Sequence, residues 1–349
     1  MPKIEFARRA ALAALFALCA ATAAAQQPRA AMPAAAADMG PTREKGLLDA
    51  AKIEGEVVVY STAPPDDNKA ITGAFEARYG IPVKLWRGSS EEILQRVMAE
   101  AKAGRPQADA FINTGMGLEP MYRENLLRVV ASPHKANFLP ESNPAHGGWT
   151  GFYLATMVQA YNTGLVKKAD LPKAWSDLLD PRWKGKLAIE AADTDWFQAV
   201  VENLGRDKGL ALFRDIVAAN KISVRKGHSL MANLVVAGEI PLALTTYQFT
   251  IEQMRASGAP IDWFVIPPSM SAQVGVGVAA EPRHPATAAL FQDFLLDGVQ
   301  DLLVKRQFIT TRKDVFAKAP FPIVVQDAAR ALDGAQEWED LFRKTFSAR

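Results

Sequence analysis

The segment YNTGLVKKADLPKAWSDLLDPRWKGKLAI, residues Tyr161 to Ile189, carries the clearest structural pattern in this chain of 349 residues. A turn at Asn162-Thr163-Gly164 ends an apolar run, and a short helix is predicted over Trp175 to Leu179. Asp180-Pro181 stops that helix, because proline cannot continue it, and Leu187 to Ile189 begin a new buried strand. The segment therefore predicts a fold in which short helices and turns alternate with buried strands.

The same alternation runs through the chain from Gly46 onward, which indicates α/β lobes with mostly parallel sheets. One helix, predicted over Ser89 to Ala103, begins with a capping box in which Ser89 and Glu92 exchange hydrogen bonds. The predicted strands are Val57 to Tyr60, Val83 to Trp86, Ala108 to Ile112, Phe152 to Ala160, Leu187 to Ile189 and Leu242 to Thr245.

Three further stretches carry a resemblance to a known family: EGEVVVYST from Glu54, ADAFINTG from Ala108, and VVAGEIPLALTTY from Val235. With the opening segment, they make the chain resemble the periplasmic substrate-binding proteins of ATP-binding-cassette (ABC) importers, in the family 1 group that includes ferric-ion binders. The likeness runs from about Glu54 to about Phe316. It implies an α/β, two-lobed periplasmic binding protein fold of type II, with hinge strands and a ligand cleft between the lobes. It also implies a monomer that delivers its solute to a permease and ATPase complex in the inner membrane.

The N-terminus is predicted to be a signal peptide that is cleaved near Ala25, so the mature protein is expected in the periplasm. A basic start through Arg9 precedes an apolar run and the small residues Ala23-Ala24-Ala25. The only cysteine, Cys19, lies in that run and follows Leu18, where a lipoprotein signal needs a smaller residue. The predicted organisation is 1–25 signal peptide, 26–45 flexible leader, 46–155 first part of lobe 1, 156–264 lobe 2, 265–310 return to lobe 1, and 311–349 C-terminal helices.

The charge of the mature chain is predicted to be close to zero. The formal net charge is +2, and the predicted signal peptide accounts for it through Lys3, Glu5, Arg8 and Arg9. A neutral chain gives no electrostatic reason to expect nucleic acid or an anionic membrane as a partner.

Loops that follow parallel strands meet at one edge of a sheet, where helix N-termini present unpaired amide groups. Hydroxyl and amide donors at such an edge suit a small polar or anionic ligand. Ser89 could instead serve only as a helix cap, and Ser61, Thr62 and Thr114 could bond their own turns. The candidate ligand contacts at these positions are Ser61, Thr62, Ser89, Ser90, Thr114 and Gly115 in the first lobe, and His228 and Ser229 in the second.

Tyr247 is a further candidate, because the ferric binders in the resembled group carry two adjacent tyrosines near this position. Here the neighbours are Thr246 and Gln248. One phenolate supplies less of the anionic oxygen that ferric iron prefers, so a small organic anion is favoured over free ferric ion. The alternatives are a ferric site built from Tyr247, His228, a carboxylate and a bound anion, or a purely structural tyrosine at the hinge. No resident cofactor is predicted.

The segment Asp193-Thr194-Asp195 leaves open whether the ligand site carries negative or positive charge. Thr194 or Asp195 is expected to cap the following helix. Asp195 is also a candidate ligand contact, and a carboxylate facing the cleft would favour an amine, hydroxyls or a metal. Arg225 and Lys226 favour an anionic ligand instead, since they offer positive charge to phosphate, phosphonate or carboxylate.

Enzymatic function is not predicted, because the sequence lacks a nucleophile elbow, an HExxH pair and a phosphate-binding loop. Ser229 beside His228 is a sequence neighbour and not a geometric pair. A periplasmic sensor that signals to a membrane kinase has the same fold and ligand chemistry, and it remains an alternative to transport.

Overall fold

All six predicted strands form in the computed structural model, which describes residues 31–346. The predicted signal peptide lies outside the described residues, as do positions 26–30 of the predicted leader. The strands are β1 (Val57–Ser61), β2 (Val83–Arg87), β3 (Ala110–Thr114), β4 (Leu127–Arg128), β5 (Trp149–Asn162), β6 (Leu187–Glu190), β7 (Ser223–Arg225), β8 (Leu242–Tyr247), β9 (Ile261–Phe264), β10 (Ser269–Ala279) and β11 (Ile323–Val325).

The helices lie between these strands and cover the sheet. They are α1 (Arg43–Glu54), α2 (Pro65–Tyr79), α3 (Ser90–Lys102), α4 (Gly115–Arg123), α5 (Thr194–Leu204), α6 (Arg206–Asn220), α7 (His228–Val236), α8 (Gln248–Ala256), α9 (Pro285–Leu296), α10 (Gln300–Lys305), α11 (Lys313–Phe316), α12 (Ala328–Asp333) and α13 (Ala335–Phe346). Short 3-10 turns cover Ala34–Ala36, Pro133–Asn137, Pro140–Ser142, Lys168–Asp170, Trp175–Leu179 and Pro181–Trp183. None of the helices within residues 31–346 is long and apolar enough to cross a membrane.

The sheet is parallel within each lobe and antiparallel where the lobes join. Its strand order is β2-β1-β3-β10-β5-β8-β6-β7, with β4 and β11 on β10 and β9 on β5. Strand β1 pairs in parallel with β2 and β3, and β6 pairs in parallel with β7 and β8. The long strands β5 and β10 run antiparallel to each other and belong to both lobes.

The registers of β5 set the carboxyl ends of the two parallel strand sets against each other. Thr114, which ends β3, pairs with Val274, and Val274 pairs with Tyr153 of β5. Tyr247, which ends β8, pairs with Met157 of β5 from the opposite direction. The two strand ends therefore face one another across four residues of β5, about 13 Å at 3.3 Å per residue. A cleft lined by the loops of both lobes follows from this register.

Each lobe has its own aromatic core. In the first lobe, Phe75 packs edge-to-face on Phe291 with ring centres 5.1 Å apart. In the second, Trp175 packs on Trp196 at 5.4 Å, and Trp183 is buried in the same cluster. The tryptophans of the opening sequence segment thus anchor the second lobe.

In the segment predicted as a flexible leader, residues 26–45, Met32, Ala35 and Ala36 pack on the first lobe. Ala36 is part of the core, and the Arg43 side chain is 3% exposed. Arg43 Nε lies 2.5 Å from Asp293 Oδ2, and Arg43 Nη1 donates to the Ala36 carbonyl at 2.6 Å. The packing of this segment could not be predicted from the sequence, because it depends on an ion pair between residues 250 positions apart and not on a periodic apolar pattern.

The C-terminal region, predicted as helices from 311 onward, also contains strand β11 and joins the two lobes. Strand β11 pairs in parallel with Ser269 to Ser271 of β10. Helix α12 packs on α4 of the first lobe, where Arg123 contacts Asp333 at 2.6 Å. Helix α13 places Trp338, Phe342 and Phe346 in the core of the second lobe.

We expect Arg43→Ala to destabilise the protein by about 3–5 kcal/mol, because the substitution leaves Asp293 buried without its partner. Urea denaturation followed by tryptophan fluorescence measures this change. Lys45→Ala is the matched control, since the Lys45–Asp49 pair is exposed and such pairs contribute little to stability. Equal destabilisation by the two variants would show that the buried Arg43–Asp293 pair stabilises the fold no more than an exposed pair does.

Candidate functional site

The first lobe contributes a cluster of uncharged donors, here called the hydroxyl half-site: Ser90, Asn113, Thr114, Gly115 and Gly117. Ser90 opens α3, and Thr114 is the N-cap of α4, so two helix N-termini meet here. The Ser90 and Thr114 hydroxyl oxygens lie 2.9 Å apart. Unpaired first-turn amides and adjacent hydroxyls form an arrangement that binds anions.

Two residues that the sequence did not single out shape the hydroxyl half-site. A Cβ at Gly117 would lie 2.4 Å from Asn113 Nδ2 and 2.5 Å from Ser90 Oγ, so only glycine lets these groups approach. Within residues 31–346, Asn113 Nδ2 is one of the buried side-chain atoms that have no hydrogen-bond partner. A buried amide donor without a partner favours an acceptor on a ligand.

Other predicted contacts of the first lobe are used locally. The buried Ser61 hydroxyl donates to Asn68 Oδ1 at 2.7 Å and accepts from the Ala63 amide at 3.1 Å. Ser89 forms the predicted capping box with Glu92. The Thr62 amide donates to the Ile112 carbonyl at 2.9 Å. These bonds fit the turn alternative for Ser61 and the cap alternative for Ser89, whereas Thr62 bonds to the neighbouring strand β3. Ser90, Thr114 and Gly115 lie together at the edge of the sheet.

The second lobe contributes a charged cluster, here called the acidic half-site: Glu190, Asp193, Asp195, His228 and Tyr247. Glu190 ends β6 and accepts from the backbone amides of Gly227 at 2.7 Å and Ala192 at 2.5 Å. His228 opens α7, and its Nε2 lies 2.9 Å from Asp193 Oδ1. One ligating atom from each of Glu190, Asp193 and His228 falls within 4.8 Å of the others. The cluster has the composition of a cation site.

The charges of the acidic half-site act strongly on one another. Burial, followed by the negative charge of Asp193, raises the pKa of Asp195 to about 6. Burial alone would lower the pKa of His228, but the attraction of Asp193, Glu190 and Asp195 outweighs it, and the net shift is upward. Burial and the same three carboxylates raise the pKa of Tyr247 well above its ordinary value. Tyr247 is therefore a neutral phenol at pH 7 in the absence of a metal.

A column of stacked rings connects the acidic half-site to the core of the first lobe. His228 stacks on Tyr247 with centres 4.0 Å apart, Tyr247 on Phe249 at 5.5 Å, and Phe249 on Phe308 at 4.2 Å. Phe249 and Phe308 belong to the first-lobe core. Tyr247 thus has both a ligand-side position and a packing role, which are the two alternatives that its sequence position left open.

Positive charge lies at the rim of the cleft. Arg225 and Lys226 are exposed, and Lys226 is among the cations that help to lower the pKa of Glu92 in the first lobe. The largest causes of that lowered pKa are the hydrogen bonds from Ser89. Lys226 therefore lies at the rim of the cleft, close enough to the first lobe to act on Glu92.

The sequence prediction of the acidic half-site was incomplete. The N-cap of α5 is Asp193, without a capping hydrogen bond from its side chain, so the predicted cap by Thr194 or Asp195 is wrong. Asp195 lies in the first turn, where its Oδ1 accepts from the Trp196 amide at 2.8 Å. Ser229 is exposed beside His228. Glu190 was missed, although a charged residue at the end of an otherwise apolar buried strand was a visible signal.

Comparison with known proteins gives matches over most of the chain. A family model described as bacterial extracellular solute-binding protein matches residues 103–332. The Fe(3+)-binding periplasmic protein of Serratia marcescens is 25% identical over 252 residues, which are 69% of this chain and 74% of that protein. A putative 2-aminoethylphosphonate-binding periplasmic protein of Salmonella typhimurium is 28% identical over 197 residues, 54% of this chain and 56% of that protein. The chain thus spans little more than half the length of the Salmonella protein.

The fold also matches solved structures. The periplasmic binding protein AfuA from Actinobacillus pleuropneumoniae, with fructose-6-phosphate bound, matches with a TM-score of 0.73 at 20% identity. The match covers 84% of this chain and 99% of that chain. It confirms the predicted two-lobed α/β architecture.

The stability of the unliganded protein is expected to depend on the ionisation of Asp195. Because its pKa is raised to about 6, the folded chain keeps this proton to a higher pH than the unfolded chain does, and stability falls as the pH rises through that range. Asp195→Asn cannot ionise, so its stability relative to wild type should increase between about pH 4 and about pH 7. Urea denaturation at several pH values tests this.

The exposed Asp215→Asn in α6 is the control for that experiment and should show a stability difference that does not vary with pH. A constant difference for Asp195→Asn as well would mean that the carboxyl of Asp195 titrates normally.

Proposed function

As a member of the bacterial extracellular solute-binding protein family, this chain binds a solute, and we propose that the solute is a small organic phosphate or phosphonate. In the proposal, the mature protein is exported to the periplasm after cleavage near Ala25. There it captures the solute as a monomer and delivers it to an ABC permease.

The hydroxyl half-site is the observation that carries this proposal. It combines two helix N-termini, the paired hydroxyls of Ser90 and Thr114, and the unpartnered buried amide of Asn113. These groups are neutral donors, which suit a phosphoryl or phosphonyl group with several acceptor oxygens. The relative from Salmonella, named for a phosphonate, is consistent with this ligand class.

Hinge closure provides the mechanism. The hydroxyl half-site and the acidic half-site belong to different lobes and face each other across Tyr153 to Met157 of β5. A solute that contacts both half-sites binds the closed form more tightly than the open form and shifts the equilibrium toward closure. The proposal includes binding without turnover, in keeping with a non-enzymatic family.

Ser90→Ala should weaken binding of an organic phosphonate about five- to tenfold, the loss expected when one hydrogen bond of about 1 kcal/mol is removed. Thermal-shift titration measures this, because a ligand that binds only the folded state raises the midpoint with RT ln(1 + [L]/Kd). Ser176→Ala, at an exposed position of the second lobe, is the matched control and should bind as wild type does. If a panel of organic phosphates and phosphonates leaves the wild-type midpoint unchanged, the proposed ligand class is wrong.

Ferric ion is a second candidate ligand, and the acidic half-site is the observation that favours it. Glu190, Asp193 and His228 lie within 4.8 Å of one another, and the phenol of Tyr247 stacks on His228. Hard oxygen donors with one imidazole are suitable ligands for iron, and an anion on the hydroxyl half-site would complete the coordination. The relative from Serratia, named for Fe(3+), is consistent with this candidate.

If ferric ion is the ligand, ferric citrate should raise the thermal midpoint and produce a visible phenolate-to-iron charge-transfer band. Tyr247→Phe should then abolish the band and most of the stabilisation. Phe249→Leu, which changes the next ring of the column but supplies no ligand atom, should keep the band. A midpoint that ferric citrate does not move excludes this candidate.

A further inference from the structure

We propose that the C-terminal segment from Gln326 to Phe346 is a strap that joins the two lobes beside the cleft and restrains how far they separate. The inference rests on the hinge closure of the proposed function and not on the identity of the solute. It gives α12 and α13 a role in setting how many molecules are close to the closed form, without any contact between these helices and the solute.

Helix α12 is docked on α4 of the first lobe. Ala328 is buried in the cluster of apolar residues that also contains Trp149 of β5. A Cβ at Gly115, the first residue of α4, would lie 2.6 Å from the Ala328 Cβ, so glycine at this position lets the two helices approach closely. At the other end of α12, Asp333 Oδ1 lies 2.6 Å from Arg123 Nη1. Both ends of α12 thus contact the first lobe.

The second lobe also holds the strap. Gln326, just before α12, donates from its Nε2 to the Asp195 carbonyl at 3.0 Å. Arg330 of α12 lies 3.1 Å from Glu202 of α5. Helix α13 is fixed more firmly, because its three buried aromatic rings belong to the second-lobe core. The strap therefore runs from the first lobe at α12 to the second lobe at α13.

A single residue, Gly334, separates α12 from α13. Two peptide units span at most about 7 Å, so the facing ends of the two helices cannot move apart while both stay docked. Opening of the cleft has to detach α12 from α4 or turn the strap about Gly334. The ion pairs of α12 are largely exposed and individually weak, which suits a restraint that can give way and not a permanent lock.

The restraint has a consequence for binding. When a larger fraction of the unliganded protein is close to the closed form, the apparent affinity for any solute that binds this form rises by the same factor. The strap thus affects affinity from outside the cleft.

The test measures the distance between the lobes in the protein without solute. Nitroxide labels attached after Ala99→Cys in α3 and Asn233→Cys in α7 report this distance by double electron–electron resonance, since both positions are exposed and the mature chain is predicted to carry no cysteine of its own. The decisive variant has Gly-Ser-Gly-Ser inserted between Asp333 and Gly334, which lengthens the link and keeps both helices docked. Four flexible residues span about 11 Å on average, so the distances should broaden and extend upward by up to about 11 Å.

A control and a second variant complete the test. The same insertion between Ser257 and Gly258, which are exposed within the second lobe, should leave the wild-type distances unchanged. Asp333→Arg places a second arginine beside Arg123 and should also lengthen the distances, because it loosens α12 from the first lobe. Asp340→Arg, which lies within α13, should not. Urea denaturation shows that each variant is folded.

The outcomes separate the strap from the proposed ligand class. Wild-type distances in both the insertion variant and Asp333→Arg would overturn the strap and show that the hinge strands alone set the opening. Shorter distances would overturn it as well, because the segment would then hold the lobes apart. The measurement needs no solute, so a phosphate and phosphonate panel without hits would overturn the ligand class and leave the strap in place.

Discussion

The antiparallel register of β5 against β10 and β8 is the constraint on which the site depends. It aligns Tyr153 with the end of the first set of parallel strands and Met157 with the end of the second. The loops and helix N-termini that follow both sets of parallel strands therefore line the same cleft. A change of register by one residue would reverse which side chains face each core, so the many buried residues of β5 hold this alignment in place.

The two sides of the cleft achieve selectivity by different physical means. The first lobe uses uncharged donors whose positions are fixed by helix starts and by the absence of a side chain at Gly117. The second lobe uses coupled charges: burial and Asp193 raise the pKa of Asp195, and the nearby carboxylates outweigh burial to raise the pKa of His228. Neutral hydrogen-bond donors bind an anion with little dependence on pH. Coupled charges, in contrast, make binding to the second lobe depend on the charge of the ligand group that contacts it. The hydroxyl half-site and the acidic half-site thus each set a separate requirement on the chemistry of the ligand.

Local patterns in the sequence predicted most of the fold, because strands, helix caps and turns are encoded by neighbouring residues. The strand Leu187 to Ile189 and the Ser89 capping box are examples. Contacts between distant residues were not predictable in this way. Arg43 pairs with Asp293, and no local sequence pattern around either residue predicts this contact. In the candidate site, the strand-end rule suggested Ser90, Thr114 and His228 and the family resemblance suggested Tyr247, but the choice among Glu190, Asp193 and Asp195 depended on the turn after β6.

The helix α13 affects the order in which the second lobe can acquire its final packing. Its rings at Trp338, Phe342 and Phe346 lie in the same core as Phe197 and Phe213, which precede them by more than a hundred positions. During synthesis or translocation, the chain emerges from its N-terminal end. The second-lobe core therefore stays incomplete until Phe346 has emerged, and its exposed aromatic surface must remain soluble over that interval.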